Sequence, residues 1–254
     1  MIASKVNISE RNEALVSLIE NYAQVIPMDA CILIPPNRQK ENSSIPEIDF
    51  KLYKKLWLDP IFLTFPYLAI HEAVLKECFT PADLYSFLTG EIAKNRLVLL
   101  SDNNLTTTEK TYRDSIEIKI AKYTSYNPVQ DNSDDRGEVK TLAHIKTKNY
   151  LYFCSRDSNA IRLVQNSEKY ETSLDNIHVL HIYEIAYYLV RMNMCTSNQM
   201  KTIYKYIYHL TPKEKSNNLS WGEFLTAMDT LYLPDIQKSE NKPNPLIVKE
   251  SSSR

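Results

Sequence analysis

Hydrophobic residues recur along the chain with two different periods, and together they predict alternating helices and strands. Short apolar runs predict buried strands, because both faces of a parallel sheet are covered, whereas apolar residues three and four apart predict helices. The predicted strands are Val25–Ile34, Ile61–Phe65, Leu97–Leu100, Tyr150–Cys154 and Ile177–Ile182. The predicted helices include Ser9–Gln24, Pro66–Glu77, Pro81–Lys94, Thr106–Lys122, Tyr183–Met192, Asn198–Leu210 and Ser220–Tyr232. This alternation predicts an α/β fold with a mainly parallel sheet.

The stretch Asp135–Val164 carries the clearest version of this pattern, as helix, strand and helix. Asp135 and Glu138 have the spacing of a capping box, which predicts a helix start. The apolar run Tyr150–Cys154 follows, and Asp157 opens the next helix. In open α/β sheets, ligands bind in the crevice beyond the carboxyl ends of the strands. Asp157 is therefore a candidate site residue.

Two more carboxylates stand inside apolar segments. Asp29 lies within Val25–Ile34, and Glu72 lies in the apolar stripe of Pro66–Glu77. Charged side chains are almost never fully buried without a partner, so both residues are candidates for a site. Structural alternatives stay open: Asp29 could accept hydrogen bonds from backbone amides, and Glu72 could reach water at a helix edge. Glu138 and Asp157 could likewise serve only as helix caps.

The composition of the chain excludes several kinds of functional site. The chain has 254 residues and a formal net charge of −1, so no strong overall field attracts nucleic acid. Its 3 glycines, Gly90, Gly137 and Gly222, are too scattered for a dinucleotide fingerprint, a P-loop or a nucleophile elbow. The 4 cysteines have no paired spacing, which favours reduced thiols and a cytoplasmic location. The first residues lack the apolar core of a secretory signal.

The stretch around Gly137 resembles the PIN domain (PilT N-terminus-like) family of metal-dependent nucleases, and within it bacterial PIN-like toxin and ribonuclease proteins. The likeness rests on Gly137-Glu138 at a helix start, on the apolar strand, and on Ser155 and Asp157 after it. The resemblance implies a three-layer α/β/α fold. It also places a metal-binding Asp at the end of the first strand, which Asp29 matches, and a second ligand at the position of Glu72.

The resemblance implies that Asp29, Glu72, Glu138 and Asp157 converge as catalytic metal ligands, with Ser155 in support. Oxygen-only ligands suit Mg²⁺ or Mn²⁺. The implied activity is hydrolysis of RNA phosphodiesters by an endoribonuclease, often the toxin of a toxin–antitoxin pair. The expected partners are RNA and an antitoxin or other regulatory protein, and a homodimer stays open.

Two alternatives to this activity also stay open. The first is a nuclease of the same metal chemistry that acts on DNA. The second is a non-catalytic PIN-like interaction protein, because Arg156 stands where the family usually shows an acid.

The predicted organisation has four parts: a helical extension over 1–24, a PIN-like domain over 25–210, a second helical extension over 211–233, and a disordered tail over 234–254. Within the domain, the polar segment 35–59 is longer than usual connections. It is expected to form either a lid or substrate-contacting insertion, with a short helix that includes Tyr53, Leu56 and Trp57, or a solvated loop.

Overall fold

Five short parallel strands lie at the centre of the described residues, which in this computed structural model are 5–39 and 45–240. β1 (Ile26–Pro27), β2 (Leu68–His71) and β3 (Leu97–Leu100) form one sheet in that order, and β4 (Tyr152–Cys154) pairs with β5 (His178–Leu180). A single parallel bridge between Met28 and Cys154 joins the two sheets. The strands therefore lie in the order β3-β2-β1-β4-β5, which confirms a mixed α/β fold with parallel strands.

Helices connect and flank these strands. Before β4 they are α1 (Glu13–Glu20), α2 (Ala30–Leu33), α3 (Phe50–Tyr53), α4 (Asp59–Thr64), α5 (Glu72–Glu77), α6 (Ala82–Ala93), α7 (Thr107–Ala121) and α8 (Arg136–Lys148). After β4 they are α9 (Ser158–Gln165), α10 (Ser167–Tyr170), α11 (Ile182–Arg191), α12 (Ser197–Tyr208), α13 (Pro212–Asn217) and α14 (Trp221–Glu240). A π-helical turn spans Lys54–Leu58, and a 3-10 turn spans Asp102–Asn104. In the described ranges, no helix combines the length and apolarity that a membrane span requires.

β4 separates two hydrophobic clusters. Tyr152 and Cys154 belong to one cluster, together with residues of α1, α11, α12 and α14. Phe153 belongs to the other, with residues of α7, α8 and α9. Because successive strand residues face opposite sides of a sheet, helices cover β4 on both faces.

The segment 61–77 reverses the predicted order of strand and helix. Ile61–Phe65 is not a strand, because Asp59 and Pro60 begin α4, and both residue types suit a first helical turn. Pro66–Glu77 is not one helix but β2 followed by α5. β2 is fully buried and pairs with both β1 and β3. This pairing with distant segments stabilises a strand there, although the spacing of the apolar residues is typical of a helix.

The predicted strand Val25–Ile34 is also shorter than expected. The strand ends at Pro27, and Asp29 is the N-cap of α2. The Asp29 carboxylate accepts a hydrogen bond from the Ala30 N–H at 2.8 Å, which satisfies one of the free amides at this helix start. An apolar run of this length does not distinguish a strand from a buried helical turn.

The capping box predicted at the start of α8 is wrong. Asp135 takes a left-handed conformation with φ 54°, and its side chain makes no cap hydrogen bond. Its carboxylate instead accepts a hydrogen bond from the Ser125 N–H at 2.7 Å, which ties the preceding loop to the helix start. Glu138 is thereby left free of a capping role.

The described parts of the segment 35–59, residues 35–39 and 45–59, are anchored in the core rather than forming a separate lid. Tyr53 and Trp57 are fully buried, and both donate hydrogen bonds to the carbonyl oxygen of Ile32, at 2.7 and 3.1 Å. Arg38 is buried as well and pairs with Glu214 at 2.6 Å. Residues 40–44 lie outside the described residues.

The last described helix extends further than predicted. α14 continues through Pro234 to Glu240, although disorder was expected from 234 onward. Tyr232 and Ile236 on either side of this proline are buried in the core, and Asp235 pairs with Arg11 at 2.8 Å. These contacts oppose the local cost of a proline inside a helix. Residues 241–254 lie outside the described residues.

Candidate metal centre

A pocket of about 500 Å³ lies where the chain leaves β1 and β4. We call it the acidic pocket. It is lined by Asp29, Glu77, Asp134, Asp135, Glu138 and Asp157, with Ala30, Cys31, Ser125 and Ser133, and no Lys or Arg is among these described lining residues. In the strand order β3-β2-β1-β4-β5, the adjacent strands β1 and β4 mark the point where the order reverses, which is where open α/β sheets bind ligands.

Asp29 is held rigidly at the end of β1. Its side chain is buried and accepts hydrogen bonds from Ser155 Oγ at 2.9 Å and from Cys31 Sγ at 3.0 Å. Burial raises the pKa of Asp29, and these hydrogen bonds act in the opposite direction. Ser155, expected to support a ligand or water, therefore positions Asp29.

The same serine connects Asp29 to Asp157. Ser155 Oγ accepts a hydrogen bond from the Asp157 N–H at 3.0 Å. The Asp157 side chain then caps α9, with Oδ1 accepting from the backbone N–H groups of Asn159 at 2.7 Å and Ala160 at 3.2 Å. Asp157 is thus a helix cap whose second carboxylate oxygen has no protein donor among the described residues.

Glu138 is the least satisfied carboxylate of the acidic pocket. Its side chain is only 7% exposed, and within the described part of the chain its Oε1 has no hydrogen-bond partner. Burial, followed by the negative charges of Asp157 and Asp29, raises the pKa of Glu138 to about 9. An anionic Glu138 therefore requires a positive charge that the described lining residues do not supply.

Glu77, which the sequence did not single out, is the carboxylate that α5 contributes to this pocket. Its Oε1 accepts a hydrogen bond from the Gly137 N–H at 2.8 Å, at the N-terminal turn of α8. Burial raises the pKa of Glu77 to about 7, although this hydrogen bond lowers it.

Glu72, the expected ligand from this segment, does not line the acidic pocket. It begins α5 and accepts hydrogen bonds from Ser101 Oγ at 3.0 Å and from the Asp102 N–H at 3.3 Å. Five residues correspond to about 140° of helical rotation, so Glu72 and Glu77 leave α5 in different directions. The structure thus brings Asp29, Glu138 and Asp157 together and places Glu77 where Glu72 was expected.

The carboxylates of the acidic pocket surround an open space. Across the described residues, no three of them each bring an oxygen within 4.8 Å of the other two. Mg²⁺ commonly uses only one or two carboxylates and keeps several of its waters. The spacing therefore suits a hydrated cation better than a closed cage of protein ligands.

A tighter group, formed by His71, Asp102 and His144, meets that distance criterion. Asp102 Oδ1 lies 3.2 Å from His71 Nε2 and 2.9 Å from His144 Nδ1. Arg113 Nη2 lies 2.8 Å from the other Asp102 oxygen. His71 Nδ1 accepts a hydrogen bond from the Ala73 N–H at 3.2 Å, so in the neutral ring Nε2 carries the proton and faces Asp102.

This arrangement favours a buried charge network over a cation site, because Arg113 already supplies a positive charge and His71 has no free lone pair toward the group. Burial alone would raise the pKa of Asp102, but hydrogen bonds from His144 and His71 and the nearby Arg113 together hold it well below its usual range.

No match to this chain is found among protein-family models, curated proteins or solved structures. Its function is therefore inferred from the chemistry of the acidic pocket.

Proposed function

We propose that this chain is a nuclease that uses Mg²⁺ or Mn²⁺ to hydrolyse phosphodiester bonds, with RNA as its substrate. The observation that carries the proposal is the buried, unpartnered Oε1 of Glu138 in a pocket lined by carboxylates and free of Lys and Arg among the described residues. Structural carboxylates are usually paired when they are buried. This carboxylate instead faces other acids, as a cation ligand does before the ion binds.

The donor set fits a hard divalent cation. Asp29, Glu138 and Asp157 would hold it from the ends of β1, the start of α8 and the end of β4, and Glu77 would complete the group. All four offer oxygen, the ligand type preferred by Mg²⁺ and Mn²⁺. A bound divalent cation supplies activation of a water and charge stabilisation at a phosphodiester.

The protein residues have separate tasks in this proposal. Asp29 is held in place by hydrogen bonds from Ser155 and Cys31, so its carboxylate determines where a cation would bind. Asp157 has one oxygen committed to the helix cap and presents the other to the acidic pocket. The pKa values of Glu138 and Glu77 are raised to about 9 and 7, so a cation must displace protons from these two carboxyls, and its affinity should rise with pH.

The arrangement of strands and helices supports a PIN-like three-layer fold. The order β3-β2-β1-β4-β5 is parallel throughout its paired strands. Helices lie on both faces of β4, and three of the four expected carboxylates lie beyond the carboxyl ends of strands or at the neighbouring helix start. RNA is preferred over DNA as the substrate because of the sequence resemblance to PIN ribonucleases.

The test is cleavage of single-stranded RNA and single-stranded DNA in Mn²⁺, in Mg²⁺ and in EDTA. We expect cation-dependent cleavage of RNA by the parent chain and its loss in Glu138→Gln. Glu72→Gln is the matched control, because Glu72 is a partly buried carboxylate of the same region outside the acidic pocket. Cleavage of DNA but not of RNA would make DNA the substrate. Cleavage that persists in Glu138→Gln would show that the acidic pocket is not the site of cleavage.

A further inference from the structure

A second pocket of about 360 Å³ shares a turn of the chain with the acidic pocket. Asp157 lines the acidic pocket, whereas its neighbours Arg156 and Ser158 line the second one. The second pocket also contains Lys5 and Arg162, and no Asp or Glu is among its described lining residues. We call it the basic pocket. A concave site with three cations and no acid is unusual in a protein whose formal net charge is −1, and it indicates an anionic ligand.

Arg156 is the strongest indication of that ligand. Arg156 is half-buried, and its guanidinium forms no hydrogen bond or ion pair with another described residue. Its backbone N–H donates to Cys31 Sγ at 3.2 Å, which fixes the residue beside Asp29. A partly desolvated guanidinium without a counter-charge is costly, and its planar fork is suited to a phosphate group.

The wall of the basic pocket also offers aromatic surface. His181 and Tyr183 both line it, and the partly exposed His181 ring is stacked on the buried Tyr183 ring, with centroids 5.0 Å apart and planes 9° apart. Burial lowers the pKa of His181 to about 4, so the ring is neutral at pH 7 and adds no charge. Proteins that read single strands commonly stack bases on such rings, histidine included.

We propose that the basic pocket binds a phosphate of the single-stranded nucleic acid that is cut at the acidic pocket, with the adjoining base against His181. The identity of the ligand as nucleic acid rests on the proposed function. Two pockets of opposite charge that meet at Arg156 and Asp157 place a bound phosphate next to the carboxylates. The basic pocket thereby sets which bond of the strand reaches the acidic pocket.

The experiment measures binding without cleavage. Fluorescence anisotropy in EDTA uses a single-stranded RNA of about ten nucleotides, within the range that single-strand sites cover, labelled at its 3′ end and carrying either a 5′-phosphate or a 5′-hydroxyl. The variants are Arg156→Gln and Arg162→Gln. Lys201→Gln, an exposed lysine on α12 that lines neither pocket, is the matched loss of one charge.

We expect Arg156→Gln to weaken binding roughly tenfold, the lower end for losing a hydrogen bond to a charged group. The slope of affinity against salt should fall by about 0.7 for the phosphate contact that is lost. Arg162→Gln, whose side chain is exposed and can be removed without disturbing the core, should act in the same direction. If an arginine variant loses the preference for the 5′-phosphate oligonucleotide, the basic pocket binds a terminal phosphate. If the variant binds both oligonucleotides equally more weakly, the basic pocket binds an internal phosphate.

Affinities and salt slopes of Arg156→Gln and Arg162→Gln that equal those of Lys201→Gln would overturn the basic pocket as a phosphate site. This outcome is independent of the proposed function. Arginine-dependent binding by a chain that cleaves nothing in Mn²⁺ would remove the nuclease and keep the phosphate site. Cleavage that requires Glu138 but neither Arg156 nor Arg162 would keep the nuclease and remove the phosphate site.

Discussion

The carboxylate of Glu77 rests on the backbone of Gly137. Glu77 Oε1 accepts a hydrogen bond from the Gly137 N–H at 2.8 Å, and a Cβ built at position 137 would lie 2.4 Å from that same oxygen. One of the few glycines of the chain is thus required by a carboxylate of the acidic pocket. The contact also explains why glycine directly precedes Glu138.

Gly137→Ala should therefore impair the acidic pocket more than the fold. The methyl group displaces the end of a flexible side chain, while alanine in a helix is favoured over glycine by about 1 kcal/mol. We expect the free energy of unfolding to change by less than about 1 kcal/mol, and the Mn²⁺ affinity and RNA cleavage rate to fall together. Urea unfolding, a Mn²⁺ titration and a cleavage assay measure the three quantities.

Gly90→Ala is the control for this substitution. Gly90 also lies inside a helix, α6, but a Cβ there meets nothing within 4 Å. It should stabilise the chain by about 0.5–1 kcal/mol and leave cation binding unchanged. Equal cation affinity in the two variants would mean that Glu77 is not a ligand.

Stability without metal should fall between pH 7 and pH 9. Glu138 ionises near 4.5 when unfolded, but its pKa in the folded chain is about 9. The folded chain holds a proton that the unfolded chain has released, so the free energy of unfolding falls as pH rises, by up to about 1.4 kcal/mol per pH unit. Glu77 and Glu184, whose pKa values are raised to about 7, contribute mainly below this window.

Urea unfolding in EDTA at pH 7 and pH 9 measures this decline. Glu138→Gln removes this titrating group and should reduce the decline to the part that the cysteines contribute, whereas Glu72→Gln should retain the decline of the parent. Burial raises the pKa of the Cys31, Cys78, Cys154 and Cys195 thiols, so the folded chain keeps thiol protons that the unfolded chain begins to release near pH 9. His181 does not interfere, because its pKa is lowered to about 4 by burial and its opposite effect is confined to more acidic solutions. An unchanged decline in Glu138→Gln would show that Glu138 is already ionised in the folded chain.

The sequence predicted those carboxylates that sit next to apolar runs. Asp29 stands inside the apolar run predicted as the first strand, and Asp157 lies three residues after the run Tyr150–Cys154, so the apolar runs drew attention to both acids. Predicting Glu77 as a site residue required knowing that residues 68–71, and not 61–65, form the strand that pairs with β1 and β3. This pairing joins segments that are distant in the chain, so a local sequence pattern does not show it. The sequence placed Gly137 at the start of α8 but gave no sign of its contact with Glu77.

The acids at the start of α8 show a second limit. Asp135 was predicted as a helix cap, since its type and spacing are those of a capping box. Its left-handed backbone turns the side chain toward Ser125, and the cost of that conformation is not visible in a sequence pattern. The capping interpretation of Asp157, in contrast, is confirmed by its bonds to Asn159 and Ala160.

Mn²⁺ should raise the thermal midpoint of the parent. A cation that binds only the folded chain adds about 2.7 kcal/mol at a hundredfold excess over its dissociation constant, which corresponds to roughly 5–10 °C for a chain of this size. Differential scanning fluorimetry in EDTA and in Mn²⁺ measures the shift. Glu138→Gln should lose most of it.

His144→Gln separates the two groups that could bind the cation. It disrupts the group of His71, Asp102 and His144 but leaves the acidic pocket intact. We expect this variant to have a lower midpoint in EDTA and the same upward shift with Mn²⁺ as the parent. A shift that disappears in His144→Gln and persists in Glu138→Gln would move the cation site to the histidine group.

Asp157→Asn should separate stability from activity. Asn retains the oxygen that accepts from Asn159 and Ala160, and it caps helices as well as Asp does, so the cap survives. The substitution also removes one negative charge from a group of mutually repelling carboxylates. In EDTA the variant should unfold at the same temperature as the parent or higher, while RNA cleavage in Mn²⁺ falls.

Asp157→Ala provides the comparison, because it removes the cap together with the charge and should cost about 1 kcal/mol of stability. If Asp157 only capped α9, the Asn variant would cleave at the parent rate and the Ala variant would lose activity only as far as it unfolds. A loss of cleavage in the stable Asn variant therefore assigns the free oxygen of Asp157 to the chemistry of the acidic pocket. Cleavage at the parent rate would confine Asp157 to its structural role.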